Sequence, residues 1–245
     1  MPEHSESTTT KTTTSPVIPA SNKGLGFMTT LKKYTVTDIN NLIKVAIDSE
    51  SEDEKKSEGD VTIGDGRCTT ALASLCFAAI EQLGLLLRSD LSTQAMNALK
   101  KGNRDNALSF FNYFRNKPGF VSVSDNEVNA MYTVFRNKIT HNLFPKHNLG
   151  IAQNKLNPTN QLVININGSI SLNVNFISNY VLSALAYLES QLGNINNTGF
   201  IAQMDSNIQL IESAEETILK NQYNNNTTST SEKAIFTQWL PNFQF

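Results

Sequence analysis

Between residues 68 and 88 the chain carries the feature that most limits how it can fold. Leu72, Leu75, Cys76, Ala79, Leu83 and Leu86 return at helical spacing, and Ile80 and Leu87 widen the apolar face. A helix this apolar belongs at the centre of a core rather than on a surface, so other elements must wrap it. Glu81 and Gln82 interrupt the apolar run from Ala71 to Leu87, which is the wrong pattern for a bilayer span. The N-terminus shows Ser, Thr and Pro and no apolar signal core, so the expected compartment is the cytoplasm, with no membrane attachment. Cys68 and Cys76 lie eight residues apart on this same helix, too far for a bridge, and both are expected reduced.

The elements that can wrap this helix are mostly helical. Ile39, Leu42, Ile43, Ala46 and Ile47 form one apolar stripe, with Thr37 or Asp38 as its cap. The acidic run from Ser49 to Asp60 reads as a solvated loop, followed by a turn at Gly59, Gly64 and Gly66. A short helix is expected near 92–101, ending at Gly102. Another is expected at 104–117, with Leu108, Phe111 and Phe114 or Phe110 inward, stopped by Pro118-Gly119. Ser124 and Glu127 form a capping box that opens a helix through His141 or Asn142, with Val128, Met131, Tyr132, Phe135 and Ile139 apolar. Pro145 stops it. The period then drops to two: Leu162, Ile164 and Ile166, then Asn167-Gly168, then Ile170, Leu172 and Val174. Alternation around Asn-Gly predicts a β-hairpin. A helix over 175–192 follows, ending at Gly193.

The length of 245 residues, 39% of them hydrophobic, suits one domain plus tails. Residues 1–24, rich in Thr and Ser, read as a disordered arm, because such a segment cannot bury enough apolar surface to offset its chain entropy. Residues 25–195 form the helical domain, with its hairpin at 161–174. Residues 196–245 form a C-terminal extension. In that extension Ile201, Met204, Ile208, Ile211, Glu215 and Ile218 make a short heptad seam, which packs either on its own domain or on a partner. Asn224–Ser231 reads as a polar linker. Phe236, Trp239, Leu240, Phe243 and Phe245 make an aromatic tail that docks onto this chain or another; the C-terminal helix with Trp239, Phe243 and Phe245 is the candidate protein-partner surface.

Chemistry concentrates at Phe135-Arg136-Asn137-Lys138-Ile139-Thr140-His141. Asn137 and His141 are four apart and share a helix face, and the long Arg136 side chain reaches the same edge. A His near neutral pKa can take a proton from a ribose 2′-hydroxyl or return one to the leaving oxygen. A guanidinium can pair with phosphate oxygens and stabilise the charge that builds there. An Asn amide can fix the His tautomer or hold a phosphate oxygen. With the 2′-hydroxyl as nucleophile, neither a metal nor a cofactor is needed. The candidate catalytic set is therefore Arg136, Asn137 and His141.

The Arg-Asn-x3-His pattern on a capped helix resembles the HEPN superfamily of helical-bundle proteins. The resemblance covers roughly residues 68–192, with Phe135 as the apolar residue before the motif arginine. It implies a mainly α, HEPN-like bundle with one inserted β-hairpin and a C-terminal helical extension. It implies a homodimer that brings two motif helices together at one composite site, and a metal-independent endoribonuclease of the kind found in bacterial defence or stress systems. Some members are non-catalytic scaffolds, and the alternative reading is such a scaffold or an RNA- or nucleotide-binding module. In members silenced by a partner nucleotidyltransferase a Tyr stands two residues after the motif His; here that residue is Leu143, so no such partner is expected.

Competing readings of the same residues remain open at this stage. Arg136 could instead pair with Glu81 or another carboxylate, and a His near a helix C-terminus is favoured by the dipole alone. Phe114-Arg115-Asn116-Lys117 echoes the motif but has Phe120 where a His would stand. From Arg88 to His147 there are nine Lys or Arg against four Asp or Glu. That excess is either a polyanion surface, with Lys138, Lys146 and His147 as substrate contacts, or ordinary solvated charge. His147 could equally be an exposed loop residue. No ligand pair has the spacing of a zinc finger or ribbon, and no metal is expected.

Overall fold

The structure, a computed structural model, describes residues 22–53, 69–136, 149–152, 160–166 and 168–240. Among these are eight α-helices and a three-stranded sheet. The central element is α2 (Thr69–Leu86). Leu72, Ala73, Cys76, Ile80 and Leu83 on it have no exposed surface. By length and composition α2 is the one described helix that could cross a membrane, with a mean hydropathy of 1.5 despite Glu81 and Gln82. More than half of it is buried inside the protein by neighbouring helices. Burial pushes the Cys76 thiol up to about 12, so it behaves as a small apolar residue.

The first helix differs from expectation at its start. α1 runs Lys23–Asp53, so Thr37 and Asp38 lie inside it rather than capping it. Thr37 Oγ1 instead donates back to the Lys33 carbonyl at 2.7 Å. The start is set by contacts distant in sequence. Asn22 accepts from the Leu25 N–H (2.8 Å) and donates to the Leu192 carbonyl (2.9 Å), while Asp205 accepts from the Gly24 N–H (2.7 Å). The last three residues of the expected arm, 22–24, thus belong to the fold, and the first part of the acidic run, 49–53, is helical. Residues 1–21 and 54–68, Cys68 among them, lie outside the described residues.

α3 (Leu91–Lys101) and α4 (Asn103–Phe114) meet at Gly102, as its position between two periodic runs predicts. Phe110, Phe111 and Phe114 all turn inward, and with Phe120 and Tyr180 they form a cluster of rings 4.5–6.2 Å apart. α4 approaches α2 closely because Gly84 has no side chain: a Cβ there would stand 1.8 Å from the Asn106 carbonyl oxygen. α5 (Asp125–Met131) begins with the expected capping box; Glu127 N–H donates to Ser124 Oγ and the Glu127 carboxylate accepts from Ser124 N–H. The same hydrogen bonds hold the Glu127 carboxyl below its ordinary value. Val128, Met131, Tyr132 and Phe135 are buried as their spacing predicts. The continuous α-helix does not persist, however. It widens into a π-helical turn over Tyr132–Arg136. Such turns are rare and occur disproportionately near functional sites.

The hairpin is present, with β2 (Val163–Ile166) antiparallel to β3 (Ser169–Asn173) and Gly168 at φ +82°. Its register pairs Ile164 with Ser171 and Val163 with Leu172. A two-residue connection therefore puts Ile164 and Leu172 on opposite faces, and both are buried. The hairpin thus does not present one apolar face: Ile170 is 48% exposed. A third strand, β1 (Leu149–Ala152), pairs parallel with β3 and gives the order β1-β3-β2. Asn173 caps α6 (Val174–Gly193) through the Phe176 N–H at 3.2 Å.

α7 (Thr198–Tyr223) packs its seam chiefly on its own domain. Met204 and Ile208 are buried, and contacts run to α3 and α1. Asn207 Nδ2 donates to the Leu86 and Arg88 carbonyls at 2.7 and 3.0 Å, closing the C-terminus of α2. The expected linker is a short turn, because Ser229 and Glu232 form a second capping box that starts α8 at Thr230 (Thr230–Trp239). No residue of α8 is buried, and Trp239 is 73% exposed. Its recorded ring contacts are Phe236 and Lys233 against Tyr223. Phe243 and Phe245 lie outside the described residues.

Candidate functional site

Arg136 is the last described residue of the wide turn after α5. Its Nε donates to Glu81 Oε1 at 2.8 Å and its Nη2 to Oε2 at 3.2 Å. The partner is the one carboxylate on the otherwise apolar α2. Both side chains are mostly buried, 17% and 15% exposed. A bidentate pair of this kind fixes the plane of the guanidinium and engages two of its five N–H donors. Tyr132 lies behind the pair, its ring edge-on to Phe77 with centroids 5.6 Å apart. Its hydroxyl is buried from solvent in the neighbourhood of the Glu81 carboxylate. Burial drives that phenol far above its ordinary value, and the Glu81 carboxylate adds to the rise.

Arg136 opens onto a cleft of about 340 Å³ together with Lys101, Asn103, Arg104, Asp105, Tyr132 and Thr133. Three elements build it: the end of α3, the start of α4 and the wide turn. Among its described lining residues, three are cations and one is a carboxylate. A second cleft, of about 200 Å³, is lined by Glu81, Gln82, Leu85, Ala98, Asn103 and Asn106. Arg136 thus lines the first cleft and its partner Glu81 the second.

The basic excess of the sequence divides into paired and unpaired charges. Arg88 is held by Asp90 (2.7 and 2.6 Å) and by Asn106 Oδ1 (3.1 Å), and its hydrogen bond lowers the Asp90 carboxyl from the ordinary carboxylate range. Arg115, in the motif's echo, grips the Val123 carbonyl and the Asp125 carboxylate, tying α4 to the first turn of α5. The echo is thus a structural clamp. Lys117 sits over the Tyr113 ring at 5.0 Å. Lys101, at the end of α3, is exposed and has no ion pair among the described residues.

Of the sequence-derived site residues, Arg136 is in the position just described. Asn137, Lys138, His141, Lys146 and His147 lie outside the described residues. Among the described residues, no group of three His, Cys, Asp or Glu side chains could hold a metal ion. Sequence reasoning counted Lys101 and Arg104 only as charge and did not single out Asn103 or Thr133. Their grouping depends on where α3 and α4 meet the wide turn, and no local pattern records that. No family model matches this chain, and neither a curated protein nor a solved structure matches it.

Proposed function

We propose that this protein is a HEPN-type, metal-independent endoribonuclease that acts as a homodimer. The observation that supports the reading best is the Arg136 guanidinium, held in a fixed plane by Glu81 at the wall of a cleft shared with Lys101 and Arg104. A preorganised cation at a polyanion-binding cleft is what phosphoryl transfer requires of a protein. In the proposed reaction His141 takes the proton of a ribose 2′-hydroxyl as its oxygen attacks the adjacent phosphorus. The bond from phosphorus to the 5′-oxygen breaks, and that oxygen receives a proton. Arg136 stabilises the charge on the non-bridging oxygens and Asn137 orients the imidazole or a phosphate oxygen. The products are a 2′,3′-cyclic phosphate and a 5′-hydroxyl. Lys138, Lys146 and His147 are the proposed additional substrate contacts, and the second copy completes the site.

One observation favours a second reading. A largely buried, bidentate Arg–Glu pair is also what a purely structural arginine makes, and it suits a non-catalytic HEPN-like scaffold or an RNA- or nucleotide-binding module. Incubating the purified protein with single-stranded RNA in the presence of a chelator separates the two. Cleavage that disappears in His141→Ala while the oligomeric state is kept supports the nuclease. Cleavage that persists unchanged in that variant, or a wild-type protein that cleaves no RNA, removes His141 chemistry and leaves the scaffold.

A further inference from the structure

We infer that the cleft beside Arg136 is a phosphate-binding subsite in which Lys101 and Arg104 hold a neighbouring phosphate of the RNA strand. The inference rests on the nuclease reading for the kind of polyanion, and on the cleft itself for the chemistry. Three observations point the same way. Arg136 is already compensated by Glu81, so the positive surplus of the cleft comes from Lys101 and Arg104. The single carboxylate among the described lining residues, Asp105, lies 3.7 Å from Arg104 in an exposed pair that water and salt weaken. The first turn of the twelve-residue α4 opens into the cleft through Asn103, Arg104 and Asp105, and its N-cap, Gly102, has no side chain to answer the first-turn N–H groups.

The chemistry of the wall favours a phosphate over a base. Among the described residues the lining is three cations, one carboxylate, an amide and the Thr133 hydroxyl, and its one aromatic ring is buried against Phe77. Among the described lining residues there is no exposed ring face on which a base could stack. Recognition is therefore independent of sequence and dependent on salt. Arg136 and the Lys101–Arg104 pair line one opening. A strand with one phosphate at Arg136 then lies along the start of α4 with another phosphate in reach of Lys101 and Arg104.

The test uses the full chain carrying His141→Ala, so that RNA is bound without being cut. Binding of a fluorescent single-stranded oligoribonucleotide is followed by anisotropy across a salt series. Lys101→Gln with Arg104→Gln is expected to weaken binding at about 0.1 M salt by about 10- to 30-fold, and to lower the salt slope by about 1.4, since each lost contact to a single strand removes about 0.7. Removing two charges elsewhere, with Lys33→Gln and Lys44→Gln on α1, is expected to change affinity by less than about 2-fold, because those residues lie off the cleft. An equal loss in that control, an unchanged affinity and slope in the Lys101/Arg104 variant, or no RNA binding by the parent overturns the subsite. Inorganic phosphate at constant ionic strength distinguishes the source of the group. Weak competition supports a phosphate held within a strand, and displacement of the RNA by micromolar phosphate overturns the RNA assignment. Cleavage by the His141 protein is read separately: absent cleavage with binding still sensitive to Lys101 and Arg104 rejects the nuclease and retains the subsite.

Discussion

Replacing Glu81 by Ala removes the partner of a guanidinium that is only 17% exposed. At an effective dielectric constant near 20, two unit charges about 4 Å apart attract by about 4 kcal/mol. Desolvation of both groups offsets part of that, yet deleting one partner leaves the other charge stranded, and such deletions cost about 3 kcal/mol or more. Partial exposure of the pair places Glu81→Ala at the lower end, about 2–3 kcal/mol. For a chain of this size each kcal/mol corresponds to about 2–4 °C, so the midpoint is expected to fall by about 5–10 °C. Arg136→Met alone strands the carboxylate and is expected to cost a similar amount. Combining Glu81→Ala with Arg136→Met leaves neither charge behind, so the double variant is expected to lose about 3 kcal/mol rather than the additive sum of about 5, a coupling energy of about 2 kcal/mol. Thermal and urea unfolding of the four proteins, followed by circular dichroism at neutral pH, measures the cycle. A Glu81→Ala protein within about 0.5 kcal/mol of wild type, with no coupling to Arg136, contradicts the claim that the pair fixes the motif arginine.

Gly84→Ala is expected to destabilise by about 3 kcal/mol or more, or to prevent soluble expression, because its methyl would overlap the Asn106 carbonyl where α2 meets α4. A denaturation midpoint for Gly84→Ala measures this. Asn207→Ala is expected to cost about 2 kcal/mol, since the Leu86 and Arg88 carbonyls lose their donor, and amide exchange should speed up at the end of α2. Alkaline titration supplies a further check. Burial raises Tyr113 to about 12 and pushes Tyr132 and Tyr180 up as well, with desolvation the leading cause in each. The unfolded chain ionises its phenols near pH 10, so the folded state holds more protons above that point. Stability should be fully present below about pH 10 and fall as pH rises through the folded values. A urea midpoint that stays flat from neutral pH to about 11 contradicts this assignment.

Much of the architecture is legible in the residues because it is locally encoded. Apolar spacing marks α2, Ser124 and Glu127 mark the start of α5, Gly102 separates α3 from α4, and Asn167-Gly168 marks the hairpin. What escaped sequence reading is set by partners far along the chain. α1 begins at Lys23 because Asn22 and Gly24 meet Leu192 and Asp205, and the periodicity near Ile39 carries no trace of that. β1 is four residues long and becomes a strand by pairing with β3, so its own composition is uninformative. The opposite facing of Ile164 and Leu172 follows from counting across a two-residue turn, a step that alternation alone conceals. At the site, the competing pairing of Arg136 with Glu81 could be named from charge alone, and it is the pairing found. The wide turn at Tyr132–Arg136 and the convergence of Lys101, Arg104 and Thr133 upon it could not be, since each depends on how three elements pack.

The most direct test of the functional account is the chemistry of the RNA ends. RNA incubated with the protein in a chelator is resolved by mass spectrometry, for wild type and for His141→Ala. Fragments ending in 2′,3′-cyclic phosphate and 5′-hydroxyl from the wild type, and none from the variant, are the predicted result. Fragments with 3′-hydroxyl ends, or equal cleavage by both proteins, contradict it.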